Sequence, residues 1–276
     1  MQNPLTFIKL GGSVITDKRG QEAPDLLLIR RLVAELRTVW QTMPDQRWLL
    51  GHGSGSFGHL YAARYGVHRG LAPADDWIGF AQTSAAALRL NRIVVDTLLA
   101  ADLPALALQP SASLQSSAGE LTSWQTSTIG QALEHRLIPV IHGDVAFDTL
   151  QGSAIISTEA LFAYLVLHTD ICPTRIILVG EAALYTADPH THPMAEPIPL
   201  ITPANIEQVL CGAGASHAVD VTGGMYSKLQ LMWRLVQARP GLDVYLIGPT
   251  PGLLTAALQG HSISLGTIIH GRQHAC

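Results

Sequence analysis

The chain has 276 residues, 47 % of them hydrophobic and only 14 % charged, with 17 Lys and Arg against 21 Asp and Glu for a formal net charge of −4. So much apolar content with so little charge excludes a disordered chain, and a net-negative chain without a basic stripe points away from nucleic acid as a partner. Three scattered cysteines, a start too soon interrupted by Lys9 for a signal peptide, and no apolar run of roughly 18–20 residues lead to the expectation of a cytoplasmic protein that does not enter a membrane.

The first strand-like run, Phe7–Leu10, ends in Gly11-Gly12-Ser13. A helix follows, marked by Leu26, Ile29, Leu32, Val33, Leu36, Val39 and Trp40 at three- and four-residue spacing. The second strand, Trp48–Leu50, runs into Gly51-His52-Gly53-Ser54-Gly55-Ser56-Phe57-Gly58-His59, read as a glycine-rich loop. Next come a helix over 77–101, a strand at Ala105–Leu108, a Ser/Thr-rich hairpin or flap at Gln115–Ser127, a helix over 127–136, and a strand at Pro139–His142 that ends in Gly143-Asp144. A helix over 158–168 and a strand at Arg175–Val179 precede a proline-rich stretch, Pro189–Pro203, expected to be a long surface connection. Helices over 204–211 and 225–238, the second opened by Thr222-Gly223-Gly224, and strands at Val244–Ile247 and Thr267–Ile269 complete the chain. This alternation predicts an α/β fold with a mostly parallel central sheet and helices on both faces. One domain over 1–276 is expected, with lobes of about 1–170 and 171–276 sharing the sheet.

Glycines at strand ends are the informative feature. Ligands of open α/β sheets bind beyond the carboxyl ends of the strands, where glycine lets backbone N–H groups approach phosphate oxygens. Several such turns together point to a bound polyphosphate. Two near-matches fail. Gly53-x-Gly55-x-x-Gly58 lacks a strand before Asp75 and Asp76, as a dinucleotide fingerprint requires, and Gly58 is followed by His59 where a P-loop has lysine. The cations stand elsewhere: Lys9 at the end of the first strand, Lys18 in the following turn, and Lys228 one helical turn after Gly224. Phosphoryl transfer needs its spreading negative charge neutralised by fixed cations and N–H groups, which this set supplies. His190 and His192, flanked by prolines and lacking a third ligand nearby, read as solvent-exposed rather than as a metal pair.

The segments Lys9–Lys18, Gly51–His59, Pro139–Asp144 with Asp148, Ile155–Glu159, Tyr185–Pro189 and Asp220–Lys228 resemble, in order, those of the amino-acid kinase superfamily. Within it, Ser56-Phe57-Gly58-His59 is similar to the isopentenyl phosphate kinases. The resemblance implies a three-layer αβα sandwich, a homodimer, ATP with magnesium, and transfer of the γ-phosphoryl to an alkyl monophosphate. It also implies an N-terminal acceptor lobe and a C-terminal nucleotide lobe. Carried over by motif, Lys9, Gly11, Gly12, Ser13 and Gly55 would cradle the ATP phosphates, and Lys18 and Lys228 would stabilise the transferring group. Gly224, Tyr185 and Asp188 belong to the nucleotide side, and Ser54, His59 and Gly152 would hold the acceptor phosphate. Glu159 stands where relatives commonly have an aspartate that orients the lysines.

A phosphate acceptor is already a nucleophile near neutral pH, so the site needs a donor that fixes its oxygens rather than a base. An imidazole at His59 suits that task; His52, in the same stretch, reads as structural. An apolar wall for an alkyl tail is expected from Phe80, the helix starting at Trp77, Ile141, and Ile155-Ile156. The residues leave other functions open: a kinase of the superfamily acting on a carboxylate or a phosphonate antibiotic of the fosfomycin type, and a non-catalytic ligand-binding protein on the same fold. The sequence departs from the family pattern at Gly180–Leu184, and Ser54 replaces a common glycine.

Overall fold

The computed structural model describes residues 4–17, 19–180, 184–186, 192, 194–214, 224–263 and 265–271. The chain runs through β1 (Leu5–Leu10), α1 (Gly12–Ile15), α2 (Leu26–Thr42), β2 (Arg47–His52), α3 (Gly55–Arg64), α4 (Ile78–Ala100) and β3 (Ala105–Ala107). The hairpin β4 (Leu114–Ser117) and β5 (Glu120–Trp124) follows, then α5 (Ser127–Glu134), β6 (Ile138–His142), β7 (Asp144–Asp148), β8 (Gly152–Ile156) and α6 (Thr158–His168). The last part holds β9 (Arg175–Val179), β10 (Leu200–Ile201), α7 (Ile206–Gly214), α8 (Gly224–Ala238), β11 (Asp243–Ile247), α9 (Leu253–Gln259) and β12 (Gly266–His270).

Eight strands form one sheet in the order β10-β12-β11-β9-β1-β2-β6-β3, parallel except where β11 meets β12. Strands from both halves of the chain lie in it, with β9 beside β1 at the centre. A parallel strand is covered on both faces, so alternate residues enter two separate cores. Phe7, Leu49, Ile176 and Leu178 face the layer of α5, α6, α7 and α8. Ile8, Leu50, Val140 and Ile177 face the layer of α2, α4 and α9. The result is a three-layer αβα sandwich. Helix α2 buries Ile29, Leu32, Val33, Leu36 and Val39 on one stripe, and the Asp25 side chain caps it by accepting from the Leu28 N–H at 2.9 Å.

A second sheet, β5-β4-β7-β8, projects beside the first, and the Ser/Thr-rich segment is indeed its hairpin. Three expectations need correction. The glycine-rich stretch is not a loop: Gly51 and His52 end β2, Gly53 and Ser54 turn, and Gly55 onward is helix α3. Glycine is a poor helix former, but here contact overrides propensity, since Gly12 lies against Gly53 and Gly55 with no space for a Cβ. The described part of the proline-rich stretch is more than a connection, because Leu200–Ile201 pairs with β12 at the sheet edge. Finally, no strand is expected between Gly143 and the helix at 158–168, yet β7 and β8 form an antiparallel pair there.

One row of residues runs across the sheet as Leu178, Lys9, Gly51 and Ile141. Gly51 leaves a gap beside Lys9, and the Thr158 methyl and the Phe162 ring of α6 occupy it. Gly51→Ala would collide with both. Overpacking of this kind costs about 1–3 kcal/mol, or roughly 2–10 °C in Tm for a chain of this size. Thermal unfolding of the variant checks this; an unchanged Tm would contradict the close seat of α6.

Candidate active site

Glu159 lies in the first turn of α6, 8 % exposed, between two lysines. Its carboxylate pairs with the Lys9 ammonium from β1 and stands 3.7 Å from Lys228 Nζ on α8; those lysine side chains are 13 % and 34 % exposed. Burial alone pushes the Glu159 carboxyl up, but the Lys9 charge and then the Lys228 charge outweigh it and hold it below its ordinary value of 4.5. The group is therefore ionised at neutral pH and keeps two cations side by side. Local bonds place it. Ser157 caps α6 by accepting from the Ala160 N–H at 3.1 Å, and the Thr158 hydroxyl donates to the His52 carbonyl at 2.7 Å.

The turns after β1 and β2 meet beside this pair. Gly11 donates its N–H to the Val179 carbonyl at 2.8 Å, and a side chain there would strike that oxygen. Gly55 has φ +47°, a left-handed conformation suited to glycine, at the start of α3. Thr16 braces the two turns: its hydroxyl donates to the Gly12 carbonyl at 2.7 Å and accepts from the Ser56 N–H at 2.9 Å. The N-terminus of α3, with its partial positive charge, thus opens next to Lys9 and is suited to an anion.

A cavity of about 450 Å³ lies among α3, α4, α6 and α8. Ser54, Gly58 and His59 of the turn and α3 line one side, and Ser157 and Ser227, neighbours in sequence of Thr158 and Lys228, lie on its walls. Val145, Ile155, Ile156, Ala163, Leu167 and Leu231 give it apolar walls, and His68, Thr83, Gln151, Tyr164, His168 and Arg234 add polar side chains. The tip of the β4–β5 flap closes a flank through Gly119, Glu120 and Leu121. Asp148 holds that tip. Burial raises its carboxyl, but backbone N–H groups of Gly119, Gln151 and Leu150 and the Ser116 hydroxyl bring it down to about 2. Asp144, also on the cavity wall, is committed to the Ser84 hydroxyl and to the Ser111 and Val145 N–H groups.

The structure gathers Lys9, Glu159 and Lys228 into one cluster and sets Gly11, Gly12, Ser13 and Gly55 on the adjoining turns. It places Ser54 and His59 at the cavity, with His59 on the second turn of α3 rather than at the end of a loop. Gly224 begins α8. Lys18, Asp188, Thr222 and Gly223 lie outside the described residues, as do His190 and Glu181–Ala183. Tyr185 bridges to Pro197. Gly152 is not among the residues lining the cavity; it opens β8 with φ +83° against the Leu71 carbonyl, while Gln151 and Ala154 beside it reach the cavity. The expected apolar wall is half right. Ile155, Ile156 and the α4 residues Thr83 and Ala87 line the cavity, Ile141 lies in the core, and Trp77 and Phe80 pack behind the wall against Val145 and Ile155 while stacking with Phe147. Sequence reasoning missed Thr16, Thr158 and Asn91, whose partners are distant in the chain and carry no local signal. Among the described residues no group of three His, Cys, Asp or Glu offers a metal cage.

Replacing Glu159 with glutamine leaves Lys9 and Lys228 without their counter-charge. Breaking a mostly buried pair costs about 2–3 kcal/mol here, below the fully buried case because Lys228 is a third exposed. A depressed carboxyl contributes fully above its unfolded value and loses that contribution as pH falls through the folded one. The stability gap between the wild type and Glu159→Gln is therefore steady at neutral pH and closes below pH 4.5. Denaturant titrations from pH 8 to pH 3 measure it; a gap that widens in acid would refute the ionised clamp.

With this geometry in place, comparison with known proteins is direct. The model of the amino acid kinase family matches residues 4–247. The isopentenyl phosphate kinase of Methanothermobacter thermautotrophicus is 33 % identical over 277 residues, covering 97 % of this chain and 100 % of the relative. That of Methanocaldococcus jannaschii is 32 % identical over 235 residues, 83 % of this chain and 86 % of the relative. A solved isopentenyl phosphate kinase structure superimposes with a TM-score of 0.80 at 30 % identity, covering 96 % of this chain and 99 % of that one. The chain belongs to the amino acid kinase family, in its isopentenyl phosphate kinase branch.

Proposed function

We propose that this chain transfers the γ-phosphoryl group of ATP to isopentenyl phosphate, giving isopentenyl diphosphate and ADP. The observation that carries this reading is the cavity, which combines Ser54 and His59 with the apolar Val145, Ile155, Ile156 and Leu231, and whose Ser157 and Ser227 stand close in the chain to Glu159 and Lys228. An oxygen of the acceptor phosphate attacks the γ-phosphorus in line, and the bond to the β-phosphate oxygen breaks. Ser54 and His59 hold the acceptor phosphate. Gly11, Gly12, Ser13 and Gly55 receive the ATP phosphates, with Gly224, Tyr185 and Asp188 on the nucleotide side. Lys9, Lys18 and Lys228 neutralise the equatorial oxygens of the group in flight. Glu159 keeps two of these lysines adjacent, and each ammonium retains donors for phosphate oxygens.

The N-terminal lobe of about 1–170 takes the acceptor and the C-terminal lobe of about 171–276 the nucleotide. Magnesium would enter with ATP and neutralise phosphate charge there, while Glu159 stays engaged by the lysines. The exposed Phe147, stacked on the half-buried Trp77 and Phe80, together with the exposed Leu150 supports a homodimer. Free Cys172 and Cys211 accord with the cytoplasm. No helix among the described residues is long and apolar enough to cross a membrane. A carboxylate kinase acting on an amino acid derivative needs an acid in its pocket for the acceptor's cationic end; of the two acids that line the cavity, Asp144 is already spent on internal donors and Glu120 sits at the tip of the flap.

ATP consumption measured with isopentenyl phosphate, fosfomycin, acetylglutamate and UMP tests the reading; preference for any of the last three overturns it. Within alkyl phosphates, each buried CH₂ contributes about 0.8 kcal/mol, so methyl phosphate, four carbons shorter, falls roughly a hundredfold or more in kcat/KM. Equal efficiency on the two would dispose of the apolar tail pocket.

For His59, an asparagine keeps a neutral donor and an alanine removes it. His59→Asn retains measurable turnover, His59→Ala loses most of it, and ATP affinity is preserved in both. Acceptor kinetics together with nucleotide titration decide this. Full activity in a folded His59→Ala protein would remove His59 from the acceptor site.

A further inference from the structure

His52 belongs to the glycine-rich motif but has no part in the phosphate chemistry described above. It ends β2 in register with His142, which ends β6, and the two rings stack with centroids 5.6 Å apart. Both lie on the sheet face covered by α4, opposite Lys9 and Gly51, and both are fully buried. Each Nδ1 stands 3.1 Å from the carbonyl of the following glycine, Gly53 or Gly143. A carbonyl only accepts, so each ring carries its proton on Nδ1 and leaves Nε2 as an acceptor. Here the two histidines differ. Asn91, buried on α4, donates from Nδ2 to His52 Nε2 at 3.0 Å. Among the described residues, His142 Nε2 is buried with no hydrogen-bond partner.

The main chain of His52 reaches the other side of the sheet. Its carbonyl accepts from the Thr158 hydroxyl at 2.7 Å and from the Gly143 N–H at 3.0 Å. Thr158 precedes Glu159, and Gly143 lines the cavity. One residue therefore touches the anion-binding turn with its ring, and the clamp helix and the acceptor wall with its carbonyl. Burial, the neighbouring His142 and the Lys9 charge hold the His52 imidazole down at about 3, so the ring stays neutral across the working pH range.

We propose that Asn91 and His52 are positioning residues for the transfer reaction: Asn91 locks the His52 ring in its Nδ1–H form, and His52 sets the Gly53–Gly55 turn against the first turn of α6. The inference rests on the kinase reading, because the groups it aligns are the phosphate-facing turn and the Glu159 clamp. A small displacement of such groups costs turnover more than binding, on the order of a hundredfold for a shift of about 1 Å.

Three variants and two measurements test it. In ligand-free protein, ¹⁵N NMR of the histidine rings reads the tautomer independently of any substrate. The wild type shows His52 as Nδ1–H, and Asn91→Leu loses that single form. In steady-state kinetics, folded Asn91→Leu loses about tenfold to a hundredfold in kcat with little change in KM for ATP. His52→Asn, whose amide N–H takes the place of Nδ1–H, retains about tenfold more kcat than His52→Leu. A purely structural role would lower Tm in all three without this rescue. If Asn91→Leu does not fold, Asn91→Ala carries the same expectations. A wild-type His52 protonated on Nε2, a kcat within twofold of wild type in Asn91→Leu, or equal losses in His52→Asn and His52→Leu would overturn the proposal. A wild type inert toward isopentenyl phosphate overturns the substrate reading instead. The kinetic comparison then moves to the acceptor that is turned over, and the NMR arm stands unchanged.

Discussion

A buried carboxylate between two ammonium groups is the constraint on which the rest of this molecule depends. Lys9 and Lys228 come from opposite ends of the chain and repel one another; Glu159 makes their proximity stable. Desolvating three charges is expensive, and the geometry must return that cost. It does so in several ways at once. Glu159 sits in the first turn of α6, where the helix field favours an anion. Gly51 withdraws its side chain so that α6 approaches the sheet, and Thr158 ties that approach to the His52 carbonyl. The neutral His52 imidazole on the far face, stacked on His142, adds no charge of its own next to Lys9.

The anion-binding turns obey a second constraint of the same kind. Gly12 touches Gly53 and Gly55 so closely that no Cβ fits on any of them, which brings the exits of β1 and β2 together at the carboxyl end of the sheet. Thr16 then bonds to both turns. Glycine at these positions serves proximity first, and only Gly55 among the three uses the left-handed conformation. Exposed N–H groups and paired ammonium groups converge because the backbones converge.

Most of the frame was legible because its signals are local. Strand runs such as Phe7–Leu10 and Arg175–Val179 and the stripe from Leu26 to Trp40 announce themselves by period alone, and they became β1, β9 and α2. Helix α3 was not legible, since its start is rich in glycine and is stabilised by contact with another glycine turn forty residues away. The lysines were found by their places at strand and helix ends and by motif, and the structure adds what unites them. Ile141 and Phe80 show the limit from the other side. Apolar side chains close to a site in sequence carry no mark of whether they face a cavity, the sheet core or an aromatic cluster.

The acceptor side is built differently from the charged centre, and the difference bears on specificity. Charges and glycine turns rest on the central sheet, whose register leaves little freedom. The tail cavity is enclosed by α3, α4, α6 and α8 together with a flap that belongs to a separate small sheet. Asp148 is the pivot of that enclosure: it accepts from Ala118 and Gly119 at the flap tip and from Leu150 and Gln151 at the β7–β8 turn. With its carboxyl held near 2, this link persists at any working pH. The flap residues it positions, Gly119, Glu120 and Leu121, bound the cavity. On the proposed reading, changes at the flap tip or along the cavity stripe of α6 alter which tail is accepted while the charged centre stays intact. That separation would let one fold serve several acceptors: the sheet end for phosphoryl transfer, and the peripheral layer for the choice of what receives it.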